Sequence, residues 1–96
     1  LYVSENQISE IPVEIGKLIN LVDLDFNSNQ LSEVPPEIGS LTNLRTFFLS
    51  KNNISELPPE IGNLKKLFIL ELKDTNLSEE EKQKIREFLP ECSVRF

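Results

Sequence analysis

The sequence predicts an α/β repeat solenoid, with short parallel strands on one face and irregular or 3-10 segments on the other. Asparagines recur every 23 residues, at Asn6, Asn29 and Asn52, and Glu-Ile-Gly triplets recur in the same phase. Leucine-type residues keep this interval in four columns: Leu21/Leu44/Leu67, Leu24/Phe47/Leu70, Phe26/Leu49/Leu72 and Ile8/Leu31/Ile54/Leu77. Self-similarity at such a period indicates stacked units that bury a continuous core against their neighbours.

The period divides the 96 residues into four units of a single domain. These are a truncated repeat (1–20), two complete repeats (21–43 and 44–66), and a last repeat followed by a C-terminal cap (67–96). The chain begins inside a strand motif, because Leu1 corresponds in phase to Leu24. We therefore expect that the N-terminal part of a longer parent protein is missing.

Each unit opens with L-x-x-L-x-L, whose alternation favours a short strand with one buried face. The asparagine that follows carries an amide that can both donate and accept, so we predict that Asn6, Asn29 and Asn52 satisfy backbone groups where the chain leaves the strand. The Pro-Pro pairs that come next predict an extended segment and one short helical turn. The glycine of each Glu-Ile-Gly triplet is expected to adopt a backbone conformation that is awkward for residues with a Cβ.

The last unit departs from the repeat after Thr75. Ser78 and Glu81 fit a capping box, and a helix with one apolar face is predicted from there until Pro90 ends it. Cys92, Val94 and Phe96 then alternate in an extended piece, with Cys92 read as a buried structural cysteine. We interpret this segment as a cap that closes the core.

The unit L-x-x-L-x-L-x-x-N-x-L followed by x-x-L/V-P-x-E-I-G resembles the leucine-rich repeat family. The Val34-Pro35-Pro36-Glu37-Ile38-Gly39 form, with the ending Glu79 to Phe96, is most similar to leucine-rich repeat proteins of leptospiral bacteria. This resemblance implies a horseshoe segment with a concave strand face. It also implies a bacterial protein, secreted or at the cell surface, that takes part in host–pathogen interaction.

Composition argues against several functions. The net charge of −6 disfavours nucleic acid as a partner, and no apolar stretch is long enough for membrane insertion. The chain has no histidine, no phosphate-binding glycine loop and no Cys/His cluster, so we predict no enzyme, no cofactor and no metal site. Asp23 and Asp25 share a strand face, but a flat strand offers too few oxygens for a hard cation, and a solvated acidic face is the preferred interpretation.

Counting by the period yields the strand side chains that point away from the core. The candidate binding residues on this concave face are Tyr2, Asp23, Asp25, Asn27, Thr46, Phe48, Ile69, Glu71 and Lys73. Tyr2, Phe48 and Ile69 are large apolar groups predicted to stand in water. They form either a contact patch for a partner or ordinary scattered surface residues paired across strands.

We therefore predict a non-enzymatic module that binds a protein ligand on its concave face. The alternative is a structural cap or spacer, or a self-association module that forms a homo-oligomer through the exposed strand edge at Leu1. A third interpretation, the substrate receptor of an enzyme, would require a catalytic domain upstream.

Overall fold

The computed structural model describes residues 1–96 and confirms the predicted solenoid. Its elements are β1 (Asp23–Asp25), β2 (Thr46–Phe48), β3 (Ile69–Glu71), α1 (Glu79–Phe88) and β4 (Ser93–Arg95), with a 3-10 helix in each of the first three units. The four strands form one parallel sheet in the order β1-β2-β3-β4. Tyr2 adds a single parallel bridge to Asp25, so the first unit contributes one residue pair at the edge.

The side opposite the sheet is a stack of three 3-10 helices: Val13–Lys17, Pro36–Ser40 and Pro59–Asn63. Prolines determine where the second and third begin. Pro35 and Pro58 are extended, with ψ of 151° and 147°, and the following proline opens the helix, where its missing N–H has no intrahelical partner to lose. The extended segment and short turn predicted from the Pro-Pro pairs are therefore present.

The core lies between the sheet and the 3-10 helices as one cluster of 21 buried apolar side chains. The repeating columns supply most of it, and Leu24, Phe47 and Leu70 are each fully buried beside one another in the sheet register. Full burial of one such side chain stabilises the fold by about 1.5–3 kcal/mol. Because every unit buries its side chains against the next, the core is continuous along the stack.

Two buried asparagines connect successive units. The Asn52 amide donates to the carbonyls of Leu49 and Phe26, both at 3.0 Å, and the first belongs to its own turn while the second belongs to the preceding unit. Its Oδ1 accepts the backbone N–H of Leu31 at 3.0 Å. Asn29 repeats this arrangement one unit earlier. Each buried amide therefore satisfies backbone groups of two units at once.

The same column changes at its two ends. Asn6 is exposed and its amide donates only within its own turn, to the carbonyls of Val3 and Ser4 at 3.0 Å. Thr75 stands in the last unit, and its hydroxyl donates to the carbonyl of Leu72 at 2.9 Å. The link between units is thus made by the interior members of the column.

The expected role of the glycines is wrong in its cause. None of them has a positive φ. Instead, the 3-10 helices approach closely: a Cβ on Gly39 would lie 2.9 Å from the carbonyl oxygen of Glu60 in the next unit, and one on Gly16 would lie 3.0 Å from that of Glu37. Glycine is used here because there is no space for a side chain between two backbones.

The C-terminal unit begins its helix as predicted. Ser78 Oγ accepts the backbone N–H of Glu81 at 3.1 Å, and α1 ends at Phe88, before Pro90. Ile85 is fully buried against the core. On the exposed side, the Phe96 ring lies under the Arg86 guanidinium, whose Cζ is 4.8 Å from the ring centroid.

The chain after α1 differs from the expectation. Cys92, Val94 and Phe96 alternate as predicted, but the segment does not end as a simple extended cover: Ser93–Arg95 pairs with β3 as a further parallel strand. The pairing of Ile69 with Ser93 needs a step of 24 residues rather than 23. The cap therefore lengthens the sheet.

We predict that Asn52→Ala lowers the free energy of unfolding by at least about 2 kcal/mol, because several buried backbone groups in two units lose their partner. Asn6→Ala is the matched control and should change it by less than about 0.5 kcal/mol, since the Asn6 amide is exposed. Urea denaturation followed by circular dichroism measures both values. Equal losses for the two variants would contradict the role assigned to the buried amides.

Candidate functional site on the concave face

The outward side chains of the strands form two continuous rows across the sheet. The first row is Asp23, Thr46, Ile69 and Ser93, and the second is Tyr2, Asp25, Phe48, Glu71 and Arg95. Side chains in register on neighbouring strands share a face and lie about 5 Å apart. Seven of the nine candidate residues therefore stand side by side in these rows, and we call the surface they form the concave face.

The three large apolar residues of the concave face differ in exposure. Tyr2 is 71% exposed, in line with the expectation. Phe48 and Ile69 are only partly exposed, and the prediction that they stand fully in water is wrong. They are diagonal neighbours on β2 and β3, and side chains on the inside of a curved sheet converge and shelter one another.

Asn27, a candidate binding residue just beyond β1, is already occupied by bonds within the chain. Its Oδ1 accepts the backbone N–H of Ser50 at 2.7 Å, and its amide donates to Glu71 Oε2 at 3.3 Å. Ser50 Oγ continues the row by accepting the N–H of Lys73 at 2.9 Å. These side chains link neighbouring turns along the sheet, so less of their polar capacity is available to a partner.

The carboxylates of the concave face are each held by one oxygen. Asp25 Oδ1 accepts the backbone N–H of Asn27 at 2.9 Å, and Asp23 Oδ1 accepts the hydroxyl of Thr46 at 2.5 Å. Glu71 is held by Asn27 through Oε2. Asp23 Oδ2, Asp25 Oδ2 and Glu71 Oε1 make no hydrogen bond within the chain. The carboxylates are thus oriented and still able to accept.

Beyond the strand ends lies a shallow depression of about 320 Å³ with an entirely polar lining. Its wall includes four non-glycine residues with positive φ of 55–59°: Glu5, Ser28, Lys51 and Asp74. A residue with a Cβ pays roughly 1–2 kcal/mol in this conformation, which the stacked turns impose in every unit. The depression also contains Asp25, Asn27, Glu71 and Lys73 from the candidate set.

Charge is unevenly distributed over this surface. The acidic side chains Asp23 and Asp25 lie on β1, whereas Arg95 lies on β4 and Lys73 just beyond β3. Neither cation forms an ion pair, because the two ion pairs of the chain, Lys82 with Glu79 and Lys84 with Glu81, are both on α1. The β1 side of the concave face is therefore its acidic part.

Some surface residues beside the candidates were missed by counting. Arg95 and Ser93 join the rows through β4, and the break in period conceals them. Val22, Arg45 and Phe68 form a further row just before the strands, in the same 23-residue phase, and the Arg45 guanidinium lies 5.5 Å from the Phe68 ring centroid. The common phase of these three positions was a signal that could have found them.

The structure offers little for other chemistry. No group of three or more His, Cys, Asp or Glu side chains is arranged to hold a metal ion. None of the helices combines the length and apolarity that crossing a membrane requires. Cys92 is half-buried beside a recess of about 240 Å³ between the last 3-10 helix and the cap, and burial raises the pKa of its thiol, opposed by a hydrogen bond with the Leu70 backbone.

A parallel sheet facing 3-10 helices at a 23-residue period, with a buried asparagine at each interior turn, defines a leucine-rich repeat solenoid. The leucine-rich repeat family model matches residues 19–77, and the chain belongs to that family. A leucine-rich repeat protein of Leptospira interrogans matches with a TM-score of 0.97 and 41% identity over 98% of this chain. Internalin C2 of Listeria monocytogenes matches with a TM-score of 0.76 and 26% identity, also over 98% of this chain.

The chain spans 24% of the leptospiral protein and 40% of the internalin. No curated protein matches significantly. The leptospiral match confirms the similarity inferred from the Pro-Pro repeats and the C-terminal ending, and the family in general consists of protein-interaction modules.

We predict that Cys92 is alkylated slowly in the folded protein. A raised pKa leaves less thiolate at pH 8 than in the unfolded chain, and one unit of pKa is about a tenfold loss of thiolate. Iodoacetamide labelling followed by mass spectrometry, with and without urea, measures the difference, and the folded rate should rise as pH approaches the raised pKa. Stability should fall over the same alkaline range, because the unfolded chain deprotonates first. Equal labelling rates in both states would refute the prediction.

Proposed function

We propose that this chain is a non-enzymatic module that binds a partner protein on its concave face. The observation that carries the proposal is the pair Phe48 and Ile69, partly exposed apolar side chains near the middle of a polar sheet. An apolar anchor surrounded by polar groups is the arrangement in which a few residues supply most of the energy of an interface. The leucine-rich repeat family supports protein binding in general.

Pre-organisation is the proposed mechanism. The side chains of the concave face stand on strands whose register is set by a fully buried core, and Asp23, Asp25 and Glu71 are each oriented by a hydrogen bond within the chain. A surface that is already ordered loses less conformational entropy on binding. The proposal extends to a host extracellular protein as the partner of a secreted bacterial protein, which the similarity to the leptospiral protein supports.

We predict that Phe48→Ser with Ile69→Ser abolishes capture of a partner from host extracellular and cell-surface extracts, because the apolar anchor is lost without a change of charge. The matched control is Val13→Ser with Ile19→Ser, which removes two apolar side chains that are 54% and 55% exposed away from the strands. Mass spectrometry identifies the captured proteins, and circular dichroism verifies the fold of each variant. Capture of the same protein by all forms would place the contact elsewhere.

A second candidate function is self-association at the N-terminal end of the stack. There the apolar side chains Leu1, Ile8 and Leu18 line an open hollow of about 370 Å³, and Leu1 and Leu18 are 45% and 47% exposed. The strand edge at Tyr2 pairs on one side only, with Asp25. An apolar face beside an unpaired strand edge is a template for a second chain.

We predict a mass that increases with concentration, measured by sedimentation from micromolar to near-millimolar protein. Leu18→Glu should restore the monomer, because it places a charge in the apolar hollow. Phe68→Glu is the matched control, since Phe68 is also 47% exposed but lies before β3, away from that end. A wild-type chain that stays monomeric throughout would rule out this function and leave the concave-face proposal intact.

A further inference from the structure

The row that crosses the concave face places one carboxylate between two aromatic side chains. Asp25 pairs in register with Tyr2 on one side and with Phe48 on the other. Tyr2 is 71% exposed and Phe48 is partly exposed. Neighbouring parallel strands lie roughly 4.8 Å apart, so the two aromatic residues flank Asp25 with about 9–10 Å between their backbones.

This arrangement matches the dimensions of a cation-binding site built from aromatic rings. A cation seated above Asp25 would lie about 5 Å from the strand of each aromatic residue, and cation–π attraction operates within about 6 Å of a ring centroid. The gap also admits a flat group stacked between the two rings, each of which needs about 3.5–4 Å of contact distance. The site therefore favours a flat cation.

The hydrogen bonds around Asp25 leave the site open to such a ligand. The Asn27 backbone N–H holds Oδ1 at 2.9 Å and fixes the carboxylate, while Oδ2 has no partner within the chain. Asp23, on the same face of β1, is held in the same way by the Thr46 hydroxyl and adds a second negative charge. The carboxylates are oriented before a ligand arrives.

The cations of the chain itself are placed elsewhere. Arg45 lies over Phe68, and Lys82 and Arg86 lie over Phe96, so two other exposed rings already carry an internal cation. Arg95 stands on β4, three strand steps from Asp25, and forms no ion pair. The aromatic pair around Asp25 is thus without an internal cation, although it lies next to the acidic side of the sheet.

We propose that Tyr2, Asp25 and Phe48 form a subsite for an arginine side chain of the partner protein. A planar guanidinium can stack on aromatic rings and bond a carboxylate through two N–H groups, whereas the compact lysine ammonium does neither in this fixed geometry. This inference rests on the proposed binding function of the concave face, and it specifies the chemistry of the residue that the face receives.

N-acetyl-L-argininamide is the probe, titrated into the isotope-labelled chain at low ionic strength and followed by two-dimensional NMR. Its neutral isostere N-acetyl-L-citrullinamide is the control ligand. We expect saturable shifts centred on the amides of Tyr2, Asp25 and Phe48, with a dissociation constant on the order of millimolar, which is usual for a single small contact set. The citrulline compound should bind at least about tenfold more weakly, because it lacks the charge.

Substitutions test each part of the subsite. Asp25→Asn should weaken the arginine response at least about fivefold, and Tyr2→Leu and Phe48→Leu should each weaken it about two- to fivefold, the size of an exposed cation–π contact. Glu71→Gln is the matched control and should leave the response within about twofold, because Glu71 stands beside Arg95 on the other side of Phe48.

Shifts centred on Glu71 or Asp74, an equal response to citrulline, or an unchanged response in Asp25→Asn would overturn the inference. The two proposals fail separately. If the arginine probe does not bind while partner capture still depends on Phe48 and Ile69, the face binds its partner through other chemistry. If the probe binds as expected but capture ignores these residues, the subsite exists and the proposed function is wrong.

Discussion

The buried asparagine amide is the constraint on which the rest of this structure depends. A chain that leaves a strand every 23 residues and turns through the interior exposes N–H and C=O groups that no regular ladder can satisfy. Asn29 and Asn52 satisfy those groups in their own turn and in the preceding unit. Because one side chain serves two units, it holds their turns in register, and the strands that precede the turns are held with them.

This constraint explains why so much of the fold is readable from the sequence. A one-residue slip would move every leucine-type side chain out of the core and every asparagine out of reach of its carbonyls. The period therefore fixes strand register, and the pairing of Asp23 with Thr46 and Ile69 follows from counting alone. Proline chemistry and the Ser78 cap are equally local, so the 3-10 turns and the start of α1 were also predictable.

The features that sequence counting missed are set by contacts between distant residues. The glycines are required by the backbone of the next unit, as Gly39 against Glu60, and nothing in the triplet itself distinguishes this cause from a positive φ. Strand β4 follows an α-helix instead of a 3-10 turn, and the longer connection shifts the pairing by one residue. On the concave face, counting gave the positions of Asn27 and Thr46 but not the bonds that already engage them. The partial burial of Phe48 likewise depends on sheet curvature.

The division of labour between inward and outward positions has a functional consequence. Asn29 and Asn27 stand two residues apart, and the buried Asn29 joins backbone groups between units, while Asn27 also orients the carboxylates of Asp25 and Glu71 at the surface. The order that the stack imposes on the core thus continues into the side chains of the concave face. Outward residues such as Tyr2 and Phe48 can specify a partner without contributing the contacts that hold the register. Binding specificity in this chain is therefore carried by the outward rows, whose geometry is determined by residues that no partner touches.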